Sequence, residues 1–225
     1  VNVTNVNDVA PAFTSSANFS AAENQTAIGT VAASDVDGDT ITYSISGSDI
    51  TINSSSGVIT FASAPDYETK SSYTATVTAS DGTNSTTQSI TVNVTDVNEA
   101  PAFTSSANFS AAENQTAIGT VAASDVDGDT ITYSISGSDI TINSSSGVIT
   151  FASAPDYETK SSYTATVTAS DGTNSTTQSI TVNVTDVNEA PAFTSSANFS
   201  AAENQTAIGT VAASDVDGDT ITYSI

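Results

Sequence analysis

In YTATVTAS, Tyr73, Ala75, Val77 and Ala79 alternate with Thr74, Thr76 and Thr78; in SITVNVT, Ile90, Val92 and Val94 alternate with Thr91 and Asn93. A period of two puts the apolar side chains on one face of an extended strand and the polar ones on the other, so both stretches predict half-buried strands. TITYSI places Ile41, Tyr43 and Ile45 on one face, and AIGTVAAS and GVITFA supply shorter strands. DG, SG and SSSG punctuate these runs roughly every ten residues, as turns do. No stretch carries helical periodicity. About seven short antiparallel strands joined by such turns predict an all-β, Greek-key β-sandwich of immunoglobulin-like architecture. The absence of Cys and Trp excludes the disulfide-and-tryptophan core of antibody domains.

The pattern repeats. Residues 11–100 recur without change as residues 101–190, and residues 191–225 repeat residues 11–45. A period of 90 is too long for a solenoid unit and suits small independent domains in tandem. The expected organisation is therefore a tail of a preceding repeat plus linker at 1–10, complete domains at 11–100 and 101–190, and the incomplete N-terminal part of a third at 191–225. That last segment holds too few strands to close a sandwich, and is expected to be poorly ordered or to pack only with outside help.

Charge narrows the function. Net charge is −23, with 25 acids against two lysines, Lys70 and Lys160, and no arginine. Nucleic acids and anionic membranes attract basic surfaces, so neither is an expected partner. Cys and His are absent, which removes thiolate and imidazole sites and leaves oxygen ligands for any metal. No Cys or His base, no Trp and no visible pocket argue against an enzyme. No run of 18 apolar residues marks a membrane span, and a cysteine-free, Ser/Thr/Asn-rich acidic chain fits an extracellular location. Sequons at Asn2, Asn18, Asn24, Asn53, Asn84 and Asn93 are read as accidents of composition.

The acids are not scattered. Eight of the ten in the first repeat fall in five motifs: AEN (Glu23), SDVDGD (Asp35, Asp37), PDYET (Asp66, Glu68), ASDG (Asp81) and TDVNEAP (Asp96, Glu99). Asp39 and Asp49 are left over and read as solvated. All five motifs lie at turns or strand ends, where carboxylates from several loops can converge and repel unless a divalent cation sits among them. Hard oxygen ligands on flexible loops suit Ca²⁺, which accepts six to eight oxygens, better than the tight octahedron of Mg²⁺.

The order AEN, DVDG, DYE, SDG, DVNEAP resembles the cadherin repeat, whose pattern runs Glu-Asn, DxD, DxE, a late Asp and DxNDNxP over the whole 90-residue unit. The identical copies and the acidity look like the cadherin-like repeats of giant bacterial (RTX-type) surface adhesins. The resemblance implies about three Ca²⁺ per complete junction. At the first junction, two ions would take Glu23, Asp66, Glu68 and Glu99, with Asp96, the Val97 carbonyl and Asp127 completing the second. A third would use Asn98, Asp125, Asp127 and Asp171, with backbone carbonyls near Ala100 and Gly128. At the N-terminal end Asn7, Asp35, Asp37 and Asp81 could hold a third-type ion. The second junction would use Glu113, Asp156, Glu158, Asp186, Val187, Asn188, Glu189, Asp215 and Asp217.

This sequence departs from the family pattern in two places. TDVNEAP is one residue shorter than DxNDNxP and has Glu99 where Asp is usual; TNVNDVAP has the full length but puts Asn5 where the other linkers have Asp96 and Asp186. An uncharged ligand there implies a weaker site. The expected function is a calcium-rigidified extender of a cell-surface adhesin, a monomeric rod whose partners are its own neighbouring repeats, each adding about 40 Å. The alternative is a module that itself binds, by homophilic contact or by recognising a surface polymer.

Overall fold

A computed structural model describes residues 6–225 and is all-β, with no helix among the described residues. Asn2 and Asn5 lie outside the described residues. The chain divides into two compact units, one ending at Asn98 and one beginning at Glu99.

In the first unit β1 (Ala12–Phe13), β2 (Asn18–Ala22), β3 (Ala27–Thr30), β4 (Ala33–Ser34), β5 (Thr42–Ile45), β6 (Ile50–Ile52), β7 (Val58–Phe61), β8 (Ser72–Ser80) and β9 (Ser85–Thr95) follow one another. They form a four-stranded sheet in the order β2-β9-β8-β5, a three-stranded sheet β3-β7-β6 and a ribbon β1-β4. The alternation in β8 and β9 decides what they bury. Val77, Ala79, Ile90, Val92 and Val94 turn inward, where Val31, Ile50, Ile59 and Phe61 meet most of them in one core. The intervening Thr74, Ser89 and Asn93 stay exposed.

Two features differ from the expected antiparallel set. β2 runs parallel to β9, from Asn18 opposite Thr91 to Ala22 opposite Thr95. A parallel pair needs a long crossover rather than a hairpin, and all the strands from β3 to β8 lie between these two in the chain. AIGTVAAS, which reads as one strand, serves two sheets: Ala27–Thr30 pairs with β7 through an irregular register, and Ala33–Ser34 pairs with β1. Between them Val31 is fully buried and its N–H donates to the Gly57 carbonyl at 2.9 Å.

Tyr43 packs on the core through its ring, and its hydroxyl accepts the Ala33 N–H at 2.9 Å. Removing only that hydroxyl strands a part-buried backbone donor. Tyr43→Phe should therefore cost about 1–3 kcal/mol, read as a lower urea midpoint with an unchanged slope.

Asp49, read from the sequence as solvated, makes an ion pair. Lys70 Nζ lies 2.7 Å from its carboxylate and 4.0 Å from the centre of the Tyr73 ring. The Lys70 hydrogen bond and charge hold the Asp49 carboxyl below the usual carboxylate range.

The second unit repeats this plan with β10 (Ala102–Phe103), β11 (Asn108–Ala112), β12 (Ala117–Thr120), β13 (Ala123–Ser124), β14 (Thr132–Ile135), β15 (Ile140–Ile142), β16 (Val148–Phe151), β17 (Ser162–Ser170) and β18 (Ser175–Thr185). Its sheets are β11-β18-β17-β14, β12-β16-β15 and β10-β13, around a core of Val121, Ile140, Ile149, Phe151, Val167, Ile180 and Val182. It then adds β19 (Ala192–Phe193) paired with β20 (Ala213–Ser214). Beyond these the apolar side chains stand uncovered: Val211 is 47% exposed, where its counterparts Val31 and Val121 are at 0% and 1%.

Candidate metal centres

One acidic cluster of the first unit is built by the loop after β4. Asp35 Oδ1 accepts the N–H groups of Asp37 at 2.9 Å and Asp39 at 3.3 Å, and Gly38, at a φ of 81°, supplies a left-handed step within the curl. One ligand oxygen each of Asp35, Asp37 and Asp39 lies within 4.8 Å of the others. Asp37 Oδ2 also accepts from the N–H groups of Asp8 and Val9, at 3.3 and 3.2 Å.

Asp81 comes from the β8–β9 turn. Its Oδ1 accepts the N–H groups of Thr83 at 2.7 Å and Asn84 at 2.6 Å, and Asn84 Nδ2 donates to Asn7 Oδ1 at 3.1 Å. Partial desolvation pushes the Asp81 carboxyl up, but hydrogen bonds from Asn84, Thr83 and Asn7 outweigh it and hold the carboxyl low and ionised. Asp35 Oδ2 and Asp81 Oδ2 are buried with no hydrogen-bond partner.

The second unit carries the same loop. Asp125 Oδ1 accepts from Asp127 N and Asp129 N at 3.1 and 3.3 Å, and the Glu99 N–H donates to Asp127 Oδ2 at 2.9 Å. Asp171 Oδ1 accepts from Thr173 N and Asn174 N, both at 2.6 Å. Asp125 Oδ2 and Asp127 Oδ1 are buried without partners.

A second kind of cluster sits where β2 ends. Glu23 is only 4% exposed, and its Oε2 accepts the Tyr67 N–H while its Oε1 accepts the Val97 N–H, both at 2.8 Å. Asp66 and Glu68 stand beside it, with one oxygen of each of the three within 4.8 Å of the others. Asp66 caps its own turn, accepting from Thr69 N at 3.0 Å and Thr69 Oγ1 at 2.9 Å.

The second unit has the matching trio of Glu113, Asp156 and Glu158, and extends it with its own linker. Val187 N donates to Glu113 Oε1 at 2.8 Å, Glu189 N donates to Asp217 Oδ2 at 2.7 Å, and Asn114 Nδ2 donates to Glu189 Oε1. Here the carboxylates strain against one another. Lost solvent pushes the Asp186 carboxyl up, and the charges of Asp217, Glu113 and Asp219 push it further. Glu158 is raised likewise, first by lost solvent and then by Glu113, Asp186 and Asp217, against a hydrogen bond to its own backbone. Lost solvent also raises Glu189, with Glu113 and Asp217 adding to it and the Asn114 hydrogen bond opposing. Glu189 Oε2 and Asp217 Oδ1 are buried without partners. Asn188 turns its amide donor onto the Glu189 carbonyl at 3.0 Å.

Within their units, the loops thus gather most of the sequence-predicted acids into groups. Asp39 was not among the predicted ligands, yet it stands with Asp35 and Asp37, and its counterpart Asp219 contributes to the field on Asp186. The signal was present in DVDGD, where acids at i, i+2 and i+4 around a glycine curl onto one centre. The donor set is all oxygen, mostly anionic, with buried acceptor atoms lacking any donor. Such a set fits a hard divalent cation: a bound ion would occupy the stranded lone pairs and offset the lost solvent and mutual repulsion that together raise Asp186, Glu158 and Glu189.

Residues 17–95 and 107–185 each match the family model described as Cadherin domain. Among solved structures, the chain is similar to mouse cadherin-23 EC22-24, with 25% identity and a TM-score of 0.62 over 93% of this chain and 78% of that one. It is also similar to human protocadherin-24 EC1-2, at 23% identity and a TM-score of 0.61, over 80% of this chain and 100% of that one; that likeness speaks for the fold alone. Chitinase A of Pseudoalteromonas piscicida is 32% identical over 130 residues, 56% of this chain. The chain spans 16% of that protein's length.

Proposed function

The chain belongs to the cadherin-domain family, whose domains are extracellular modules of adhesion or structure, typically without enzymatic activity; on that premise we propose that it is a calcium-stiffened extender of a bacterial cell-surface adhesin. The repeats hold a binding region away from the cell, and each linker is a ligand strand. Calcium would supply the positive charge that the acidic loops lack. At the second linker it would be held by Glu113, Asp156, Glu158, Asp186, Glu189 and Asp217, with the Val187 carbonyl, Asn188 and Asp215 beside them. At the N-terminal cluster Asn7, Asp35, Asp37 and Asp81 would hold it. The first linker carries the same residue types at Glu23, Asp66, Glu68, Asp96, Val97, Asn98, Glu99, Ala100, Asp125, Asp127, Gly128 and Asp171.

The observation that carries this reading is the set of buried, partnerless carboxylate oxygens on Glu189 and Asp217, beside acids raised above their ordinary range by lost solvent first and by one another's charge second. An ion shared by loops of two successive repeats ties them to one centre. Without it the like charges push those loops apart. Identical beads suit a spacer, because nothing distinguishes one copy's surface from the next.

Small-angle scattering tests the mechanical part. With calcium the maximum dimension should be longer and its distribution narrower than in chelator. An unchanged distribution on calcium removal would sink the proposal.

A further inference from the structure

β2 pairs in parallel with β9 as far as Ala22 opposite Thr95. One residue later the Glu23 N–H still reaches the Thr95 carbonyl at 3.1 Å. The backbone then leaves the sheet, because Asn24 adopts a left-handed φ of 59°. The sheet edge does not end there. Glu23 Oε1 takes the place the departing backbone would have filled, accepting the Val97 N–H two residues beyond Thr95 at 2.8 Å. Its other oxygen accepts the Tyr67 N–H at 2.8 Å, so one buried carboxylate joins the end of β2, the PDYET loop and the first linker residues. The second unit repeats every element: Glu113 N to Thr185 O at 3.1 Å, Asn114 at a φ of 61°, Val187 N to Glu113 Oε1 and Tyr157 N to Glu113 Oε2 at 2.8 Å.

We propose that Glu23 and Glu113 are positioning residues that hold the start of each linker in strand register without any metal, so that the linker is pre-arranged before a cation arrives. Every bond in the clamp runs from a backbone N–H to a carboxylate oxygen, a charge-assisted pair that needs no ion. Each carboxylate oxygen keeps a second lone pair, so clamping and ligation do not compete. A second hold of the same kind acts farther along each linker, where Glu99 N donates to Asp127 and Glu189 N to Asp217. The first residues of a linker tied in this way are ordered when calcium is absent.

Amide hydrogen exchange in chelator tests this, and because no calcium is present its outcome is separate from that of the calcium reading. The amides of Val97 and Val187, and of Tyr67 and Tyr157, should exchange roughly 10- to 100-fold more slowly than in an unstructured chain. The two copies carry the same bonds, so overlapping signals report one answer. Glu23→Gln combined with Glu113→Gln leaves one acceptor and turns an NH₂ toward a backbone donor. That variant should lose protection at Val97 and Val187 while the amides of β8, β9, β17 and β18 keep theirs. A purely architectural role would lower all of them together. Exchange of Val97 and Val187 at the unstructured rate in the unsubstituted chain would overturn the proposal, whatever the variant does.

Discussion

Gly57→Ala is expected to cost the first unit about 3 kcal/mol or more, the largest effect we anticipate for a single methyl group in this chain. Gly57 closes the SSSG turn at a φ of 70°, and a Cβ there would lie 2.1 Å from the Val31 carbonyl oxygen. That oxygen is main chain and cannot swing aside. Val31 is fully buried and already bonded to Gly57 through its own N–H. Relieving the overlap would therefore break the contact that holds the middle of AIGTVAAS against the turn. Gly47 is the control, because its φ is 92° but nothing lies within 4 Å of where its Cβ would be. Gly47→Ala should show only the backbone strain, about 1 kcal/mol. The second unit keeps Gly147 in the same position, so urea unfolding of Gly57→Ala should split into two transitions with only one displaced. Equal midpoints for the two variants would refute the close-approach argument.

Calcium should raise the melting temperature more than any substitution on the surface. A ligand that binds only the folded chain at a hundred times its Kd stabilises by about 2.7 kcal/mol per site. For domains of this size that corresponds to a shift on the order of 10 °C or more. The shift should be small with magnesium, whose octahedral shell is poorly matched by clusters of flexible carboxylates. Asp217→Asn removes one of the buried, partnerless acceptors at the second linker, and should weaken binding there while leaving the N-terminal cluster of Asp35, Asp37 and Asp81 intact. Melting curves that coincide in chelator and in calcium, with no heat on titration, would rule out the metal reading.

How much of this was legible beforehand depends on the range of each interaction. The two-residue alternation in YTATVTAS and SITVNVT is a local property of extended backbone, and it placed Val77, Ile90, Val92 and Val94 in the core without reference to any partner strand. The recurrence of residues 11–100 is written in the chain, as is the order of acidic motifs that matches the family. Asp49 reads as solvated and is exposed, but its ion pair with Lys70 is not legible in the sequence, because two strands, β6 and β7, separate the partners and nothing local links them. That Asp39 stands with Asp35 and Asp37 depends on how the glycine loop curls, which brings one oxygen of each of these alternate acids within 4.8 Å of the others.

By itself, then, the sequence determined an acidic, all-β, tandemly repeated chain of cadherin type with oxygen donors at its turns, because periodicity, repetition and residue chemistry are all properties of neighbours along the chain. Only the tertiary structure decided that β2 runs parallel to β9, that AIGTVAAS divides between two sheets, and that Glu23 and Glu113 continue a strand ladder with a side chain. Those outcomes join residues far apart in sequence, Glu23 with Tyr67 and Val97, and Val31 with Gly57. Such pairings are selected by which packing satisfies every buried donor and fills the core at once, a condition that no local pattern carries.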